Sequence, residues 1–248
     1  MTRTVAWFSC GIASTIAAKL ALADDPETLV VYCDTSADEH PDNERYIADC
    51  ERWLGTPITR IRSDRYNSVD EVIEARRFMS GVIGAPCTVE LKKRPRFAFQ
   101  QPDDVQVFGY TIEETARADR LQQNDPGVTF WFPLIDRQIT KADCHAALAS
   151  AGITQPAMYR LGYNNNNCLG CVKASSATYW NRIRRDFPDV FAKRVAQSNE
   201  LGVKLTRVNG VRTALADLPA DYLAPDDDEQ ISCGLDCQTS LFTQTDNV

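Results

Sequence analysis

The sequence predicts an α/β fold, a doubly wound and mostly parallel five-stranded sheet with a helical and irregular C-terminal extension. Three observations predict it. Five short apolar runs alternate with segments of helical periodicity as far as residue 152, the pattern of parallel strands joined by crossover helices. The chain has 248 residues and a 44% hydrophobic composition, enough for one good-sized α/β core plus an appendage. After residue 175 the alternation stops, which divides the chain into residues 1–175 and 176–248.

The elements follow in order. TVAWF at 4–8 reads as a buried strand, and ASTIAAKLALAD behind it carries a helical apolar stripe through Ile16, Leu20 and Ala23. TLVVYCD at 28–34 is the second strand. Residues 42–55 read as a helix ended by Gly55, in the usual C-terminal position. ITRIR at 58–62 is the third strand, followed by helical material over 69–79 and 87–100. DVQVFGYT at 104–111 and VTFWFPL at 128–134 are the fourth and fifth strands. Thr140 is a plausible cap for a helix over 140–152. Beyond 175, two helices meet at Pro188, and the chain past Gly202 reads as irregular, with the acidic stretch LPADYLAPDDDEQ. There is no internal repeat.

Charge and composition narrow the function. The net charge is −7, so general nucleic-acid binding is not indicated. Local basic clusters, KKRPR at 92–96 and RIRR at 182–185, suit a small anionic ligand; RIRR reads equally as a solvated face. No apolar run is long enough for a membrane span, and MTRTVAWFSCG lacks the features of a signal peptide. The expectation is a cytoplasmic protein. Nine cysteines, an odd number, argue against a disulfide framework there. With only two histidines, His40 and His145, a Ser-His-Asp triad is poorly supplied, and His145 reads as structural.

The first strand–helix loop, SCGIAST at 9–15, is the first candidate site. Backbone N–H groups at a helix N-terminus favour an anion. Gly11 allows close approach, and Ser9, Ser14 and Thr15 offer hydroxyls. The loop is neither a Walker A loop nor a G-x-G-x-x-G turn, and it would also serve as an ordinary connection.

The second candidate is the thiol set. Cys168 and Cys171 form a C-x-x-C pair directly after four asparagines, Asn164 to Asn167. Such a pair with two further thiols holds zinc or an iron–sulfur cluster. Asparagine tolerates left-handed backbone and makes local turns, so the run could wrap an inorganic site; it could equally be an exposed loop. Cys10, Cys33, Cys50 and Cys144 read as buried free thiols.

Strand, Ser-x-Gly-x-x-Ser, then helix resembles the PP-loop of the ATP pyrophosphatase (adenine nucleotide alpha-hydrolase-like) superfamily, usually S-G-G-x-D-S. Ser9, Gly11 and Ser14 match, while Cys10, Ile12 and Ala13 depart from it. SCGI is closer to the S-F-G-I of the phosphoadenylyl sulfate (PAPS) reductase branch. VYCDTSADEHPDNERYI resembles that branch's strand ending in Asp-Thr, which would put Asp34 near the nucleotide. FGYTIEETARADR resembles its G-x-R-x-x-E-S-x-x-R segment. Gly109 matches there, Thr111 replaces an Arg, and the spacing fits Arg117 better than Arg120. PCTVELKKRPRF, with Lys92 and Lys93, resembles the Cys-Cys-x-x-x-K segment of the cluster-bearing reductases, with Pro86 in place of the first Cys. The resemblance covers roughly residues 4–175.

The resemblance implies a [4Fe–4S] cluster on Cys87, Cys168 and Cys171, closed by Cys237 or alternatively Cys233; zinc stays the alternative metal. SCGLD at 232–236 resembles the reductases' C-terminal E-C-G-x-H, which makes Cys233 the implied catalytic nucleophile. Its acidic surroundings favour the ligand role instead. The implied activity is reduction of a sulfonucleotide, APS or PAPS, with a thioredoxin-like reductant as partner. Two alternatives remain: an ATP-dependent sulfur-transfer or nucleic-acid-modifying enzyme drawing on a sulfur donor, and a non-catalytic nucleotide-binding redox module.

Overall fold

The computed structural model describes residues 2–81 and 84–222. The expected α/β architecture is present. Five strands, β1 (Thr4–Phe8), β2 (Leu29–Cys33), β3 (Thr59–Ile61), β4 (Val105–Val107) and β5 (Thr129–Trp131), form one sheet in the order β3-β2-β1-β4-β5. Every neighbouring pair is parallel. Strands β1 and β2 are almost wholly buried, which is why they read as continuous apolar runs rather than alternating ones.

Helices α1 (Ile12–Asp24), α2 (Asn43–Leu54), α3 (Val69–Arg76), α4 (86–99) and α5 (Thr115–Asn124) lie in the crossovers between strands, and α6 (Lys141–Ser150) follows β5; the buried residues of α3 pack in a cluster apart from the two sheet faces. On one face Ala6, Phe8, Val30 and Tyr32 pack with Ile16, Ala17, Tyr46, Ile47 and Leu148. On the other, Val5, Trp7 and Val31 pack with Phe108, Tyr110, Leu121 and Phe132. Thr140 caps α6 through a reciprocal pair with Asp143. Helix α4 contains a π turn at Val89–Lys93, a local widening of the kind that recurs at functional sites.

The fourth and fifth strands are shorter than their apolar runs. After β4 the chain leaves the sheet at Phe108, whose N–H still donates to Trp131 O at 3.1 Å. After β5, Pro133 opens a short helix, Pro133–Asp136; proline lacks the N–H a strand would use and is preformed for a first helical turn.

Helices α7 (Ala177–Asp186) and α8 (Pro188–Glu200) meet at Pro188 as expected. Residues past Gly202 are not wholly irregular. Strands β6 (Thr206–Val208) and β7 (Val211–Thr213) form an antiparallel hairpin about Asn209 and Gly210, both at positive φ. Asn-Gly is the pairing such a tight turn requires. One hydrophobic cluster joins this C-terminal region to the middle of the chain: Val72, Leu91, Met158, Tyr179, Trp180 and Leu215 belong to it together. Among the described residues no helix is long and apolar enough to cross a membrane.

Candidate functional site

The strand order places a topological switch point between β1 and β4, where the chain winds off in opposite directions. Open α/β sheets bind ligands there, outside the strands' carboxyl ends. A cavity of about 670 Å³ lies at that point, within the size range of small-molecule sites. It is lined by Ser9, Gly11 and Ser14 after β1, by Phe108 to Thr111 after β4, and by Lys92, Arg117, Arg120, Lys141, His145 and Asn164 to Asn167.

The loop after β1 is held by its own hydroxyls. Ser14 Oγ accepts from Ser9 N and Ser9 Oγ, each at 3.1 Å, and donates to Gly11 O at 2.8 Å. Ser14 thus fastens strand end to helix start. Helix α1 begins behind Gly11, which offers no side-chain cap, and its first turn contains no acid. Its positive end therefore borders the cavity with no acid in its own first turn, which favours an anion. Tyr159 closes the loop from above: burial pushes its hydroxyl up to about 12, while the backbone N–H groups of Ile12 and Asn166 pull the other way.

Gly109 explains how the two loops meet. A Cβ there would lie 2.5 Å from Ser14 Cα and 2.6 Å from Ser14 N, so only glycine lets the β4 loop pass against the first turn of α1. The next residues build an aromatic wall. Tyr110 stacks on Phe132 at 5.7 Å between ring centres, and the Arg117 guanidinium lies 4.4 Å over the Tyr110 ring. Glu114 pairs with Arg117 at 2.6 Å, fixing its direction. Arg120 lines the same cavity.

The four asparagines form the remaining wall. Lys141 Nζ donates to Asn164 O at 2.5 Å, and Asn166 Nδ2 donates to Cys10 O at 2.8 Å and Asn43 Oδ1 at 2.9 Å. Asn43 Nδ2 in turn donates to Glu39 Oε2 at 2.7 Å, and Glu39 also accepts from Tyr32 Oη at 2.8 Å and Thr35 Oγ1 at 2.5 Å. The links from Cys10 through Asn166, Asn43 and Glu39 to Tyr32 and Thr35 are all buried.

The structure brings Ser9, Gly11, Ser14, Lys92, Gly109 and Arg117 together around the cavity. Thr15, Asp34 and Lys93 do not line it. Thr15 Oγ1 donates to Gly11 O at 3.0 Å and meets Tyr46 Oη at 2.7 Å; it braces the loop from behind. Asp34 accepts from Arg62 Nη2 at 2.6 Å and from Ser36 N at 3.0 Å, and these partners hold its carboxyl below its usual range against the opposing effect of burial. Lys93 is buried, at the end of the π turn. Arg120, Lys141, Tyr110, Tyr159 and His145 were not singled out in the sequence as ligand-facing; their signal is positional and appears only once the strand order is known.

Cys87, Cys168 and Cys171 are buried in one hydrophobic cluster. Tyr179 shapes the C-x-x-C turn: its hydroxyl accepts from Cys171 N at 2.8 Å and reaches Cys168 O at 3.5 Å. Among the described residues no group of three His, Cys, Asp or Glu side chains is arranged to hold a metal ion. Cys233 and Cys237 lie outside the described residues. The described thiols do not form a metal centre by themselves. The thiols of Cys10, Cys33 and Cys144 are all pushed up, burial being the first cause in each, which leaves them un-ionised and unreactive.

Beside the turn, Leu169 N donates to Asp38 O at 2.8 Å. Burial raises the Asp38 carboxyl to about 6, against the Val69 N–H and Arg194, which lower it. A folded value above the unfolded one means that the folded chain holds this proton longer. Its contribution to stability therefore falls as pH rises from about 4 through about 6. Asp38→Asn keeps an acceptor for Val69 N and removes the charge. It is expected to raise the melting temperature at pH 8 and to change it little near pH 4; melting curves at the two pH values check this.

No family model matches the chain, and no curated protein matches it. Among solved structures it is similar to phosphoadenylyl-sulfate (PAPS) reductase from Candida auris in a phosphate complex, at 11% sequence identity and a TM-score of 0.48, over 68% of this chain and 82% of that one.

Proposed function

We propose that the chain is an enzyme that binds an adenine nucleotide in the switch-point cavity and reduces a sulfonucleotide. The observation that carries the nucleotide part is one convergence. The positive end of α1, with no acid in its first turn, four cationic residues (Lys92, Arg117, Arg120 and Lys141) against two acidic ones (Glu113 and Glu114), and the Phe108–Tyr110 wall all border a single cavity. Phosphate suits the first two, and a purine ring suits the third.

The sulfur part rests on the sequence resemblance and on Cys233, outside the described residues. In this reading the Cys233 thiolate attacks the sulfur of the sulfonucleotide. The bond from sulfur to the phosphate oxygen breaks, and the nucleotide leaves with its phosphate. A thioredoxin-like dithiol then attacks the resulting thiosulfonate, releasing sulfite and ending as a disulfide. The alternative, ATP-dependent sulfur transfer, is favoured by one feature: the cavity wall Asn164–Asn167 runs directly into the Cys168–Cys171 turn. Sulfite formed from PAPS identifies the first reaction; AMP formed from ATP identifies the second.

Titration calorimetry of the wild type and Gly11→Val with ATP, AMP, adenylyl sulfate and PAPS tests the site. A Cβ on Gly11 would lie 3.3 Å from Ser9 Oγ and 3.6 Å from Tyr159 Oη, so the valine methyls must enter the cavity. Affinity is expected to fall about 10- to 100-fold, the usual cost of overpacking. Unchanged affinity would place the nucleotide elsewhere.

A further inference from the structure

We propose that Asn166 is a positioning residue for the anion loop, holding Cys10 in the left-handed conformation from which α1 starts. The functional readout of this proposal rests on the nucleotide reading above.

Cys10 has φ 55, a backbone region that residues with a Cβ enter only at a cost. Two contacts hold it there. Its side chain is fully buried in the core beneath the loop, and its carbonyl accepts from Asn166 Nδ2 at 2.8 Å. The other N–H of the same amide goes to Asn43 Oδ1 at 2.9 Å. With both donors spent on oxygen acceptors, the carboxamide has one orientation; turning it over would set oxygen against oxygen. Asn43 is fixed by Glu39, and Glu39 by Tyr32 and Thr35. The loop is thereby tied to β2 and to the start of α2 through a side chain 156 residues away in the chain.

The four asparagines are thus not equivalent. Asn164 is exposed and offers its backbone carbonyl to Lys141, whereas Asn166 is buried and spends its side chain on the loop. Without Asn166, Cys10 can relax to an ordinary conformation. The Cys10–Gly11 peptide then rotates, and the first N–H groups of α1 lose their alignment with a phosphate.

Two variants test this. Asn166→Ala leaves Cys10 O and Asn43 Oδ1 without their donor. Asn166→Asp sets a carboxylate against those two oxygens, but its protonated form regains one donor. The titratable groups around the position are Glu39 and Tyr32 behind Asn43, the Cys10 thiol, and Tyr159 with His145 packed on its ring. Cys10, Tyr32 and Tyr159 are all raised by burial, away from the acid range; the wild-type profile controls for Glu39 and His145.

Two measurements are made, hydrogen exchange of residues 10–15 in the ligand-free protein and calorimetry with ATP and PAPS. Asn166→Ala is expected to raise exchange in that loop while β1, β2 and β4 keep their protection, and to weaken nucleotide binding about tenfold, the scale of one lost buried hydrogen bond. Asn166→Asp is expected to recover affinity as pH is lowered, unlike the wild type. Unchanged loop exchange in Asn166→Ala, or an Asn166→Asp profile parallel to the wild type, overturns the proposal. A wild type that binds neither nucleotide defeats the nucleotide reading instead, and the exchange measurement still decides the positioning role.

Discussion

Gly109→Ala is expected to abolish nucleotide binding and to lower the melting temperature by about 5 °C. The added Cβ would sit 2.5 Å from Ser14 Cα, 2.6 Å from Ser14 N and 2.8 Å from the Ala13 carbonyl carbon. All three atoms are backbone, so no side chain can swing aside. Nor can β4 retreat, because Thr4, Val5 and Ala6 of β1 pair with Val105, Gln106 and Val107. The strain must fall on the first turn of α1, where the anion would bind. Overpacking of this kind costs about 1–3 kcal/mol, and each kcal/mol moves the midpoint of a chain this size by about 2–4 °C. Gly127→Ala is the control, since a Cβ there meets nothing within 4 Å. Calorimetry with ATP and PAPS, together with melting followed by circular dichroism, checks both effects. Wild-type affinity in Gly109→Ala would show that the close approach of the two loops does not set the site.

What was legible in the sequence is what is local. TVAWF and TLVVYCD read as strands because both faces are buried and the apolar run is unbroken. Gly55 and Thr140 marked helix ends because caps are a property of a few adjacent residues. The loop at Ser9–Ser14 was legible for the same reason. The hairpin at Asn209–Gly210 was missed: Asn-Gly is a hairpin signal, but the three-residue strands beside it, TRV and VRT, carry no apolar run to mark them.

Partners distant in sequence were not legible. Asp34 stands at a strand's carboxyl end, where a ligand-facing acid would stand, but Arg62 at the end of β3 takes it. Adjacent parallel strands bring their ends together whatever lies between them, and no local pattern reports that pairing. Lys92 and Lys93 are neighbours with opposite fates, one lining the cavity and one buried. A π turn shifts the helical phase within that segment, so regular periodicity could not separate them. The asparagine run resolved in the same way: its wall of the cavity is made with Cys10, Asn43 and Lys141, none of which is near it in the chain.

Glu39→Ala is expected to destabilise the fold by about 3–5 kcal/mol, more than any surface change in the chain. Glu39 is 5% exposed, and its two oxygens accept from Tyr32 Oη, Thr35 Oγ1 and Asn43 Nδ2. Truncation leaves three buried donors without an acceptor, each costing about 1–3 kcal/mol, less what rearrangement recovers. Thr35 N also donates to Tyr32 Oη at 3.3 Å, so the Tyr32 hydroxyl cannot turn without disturbing the strand's end. Glu39→Gln separates charge from shape. Its single carbonyl oxygen can serve some of the donors while its new N–H groups face the others, so its loss should be smaller than that of Ala but still measurable. Denaturant unfolding of the three proteins gives the order wild type, Gln, Ala. The effect should reach the site as well: Tyr32 lines the cavity, and Asn43 holds Asn166, so the Ala variant should lose nucleotide affinity even at temperatures where it remains folded. Stability within about 1 kcal/mol of wild type, the net value of one ordinary hydrogen bond, would mean that the network relaxes freely and that the wall it supports is held by packing alone.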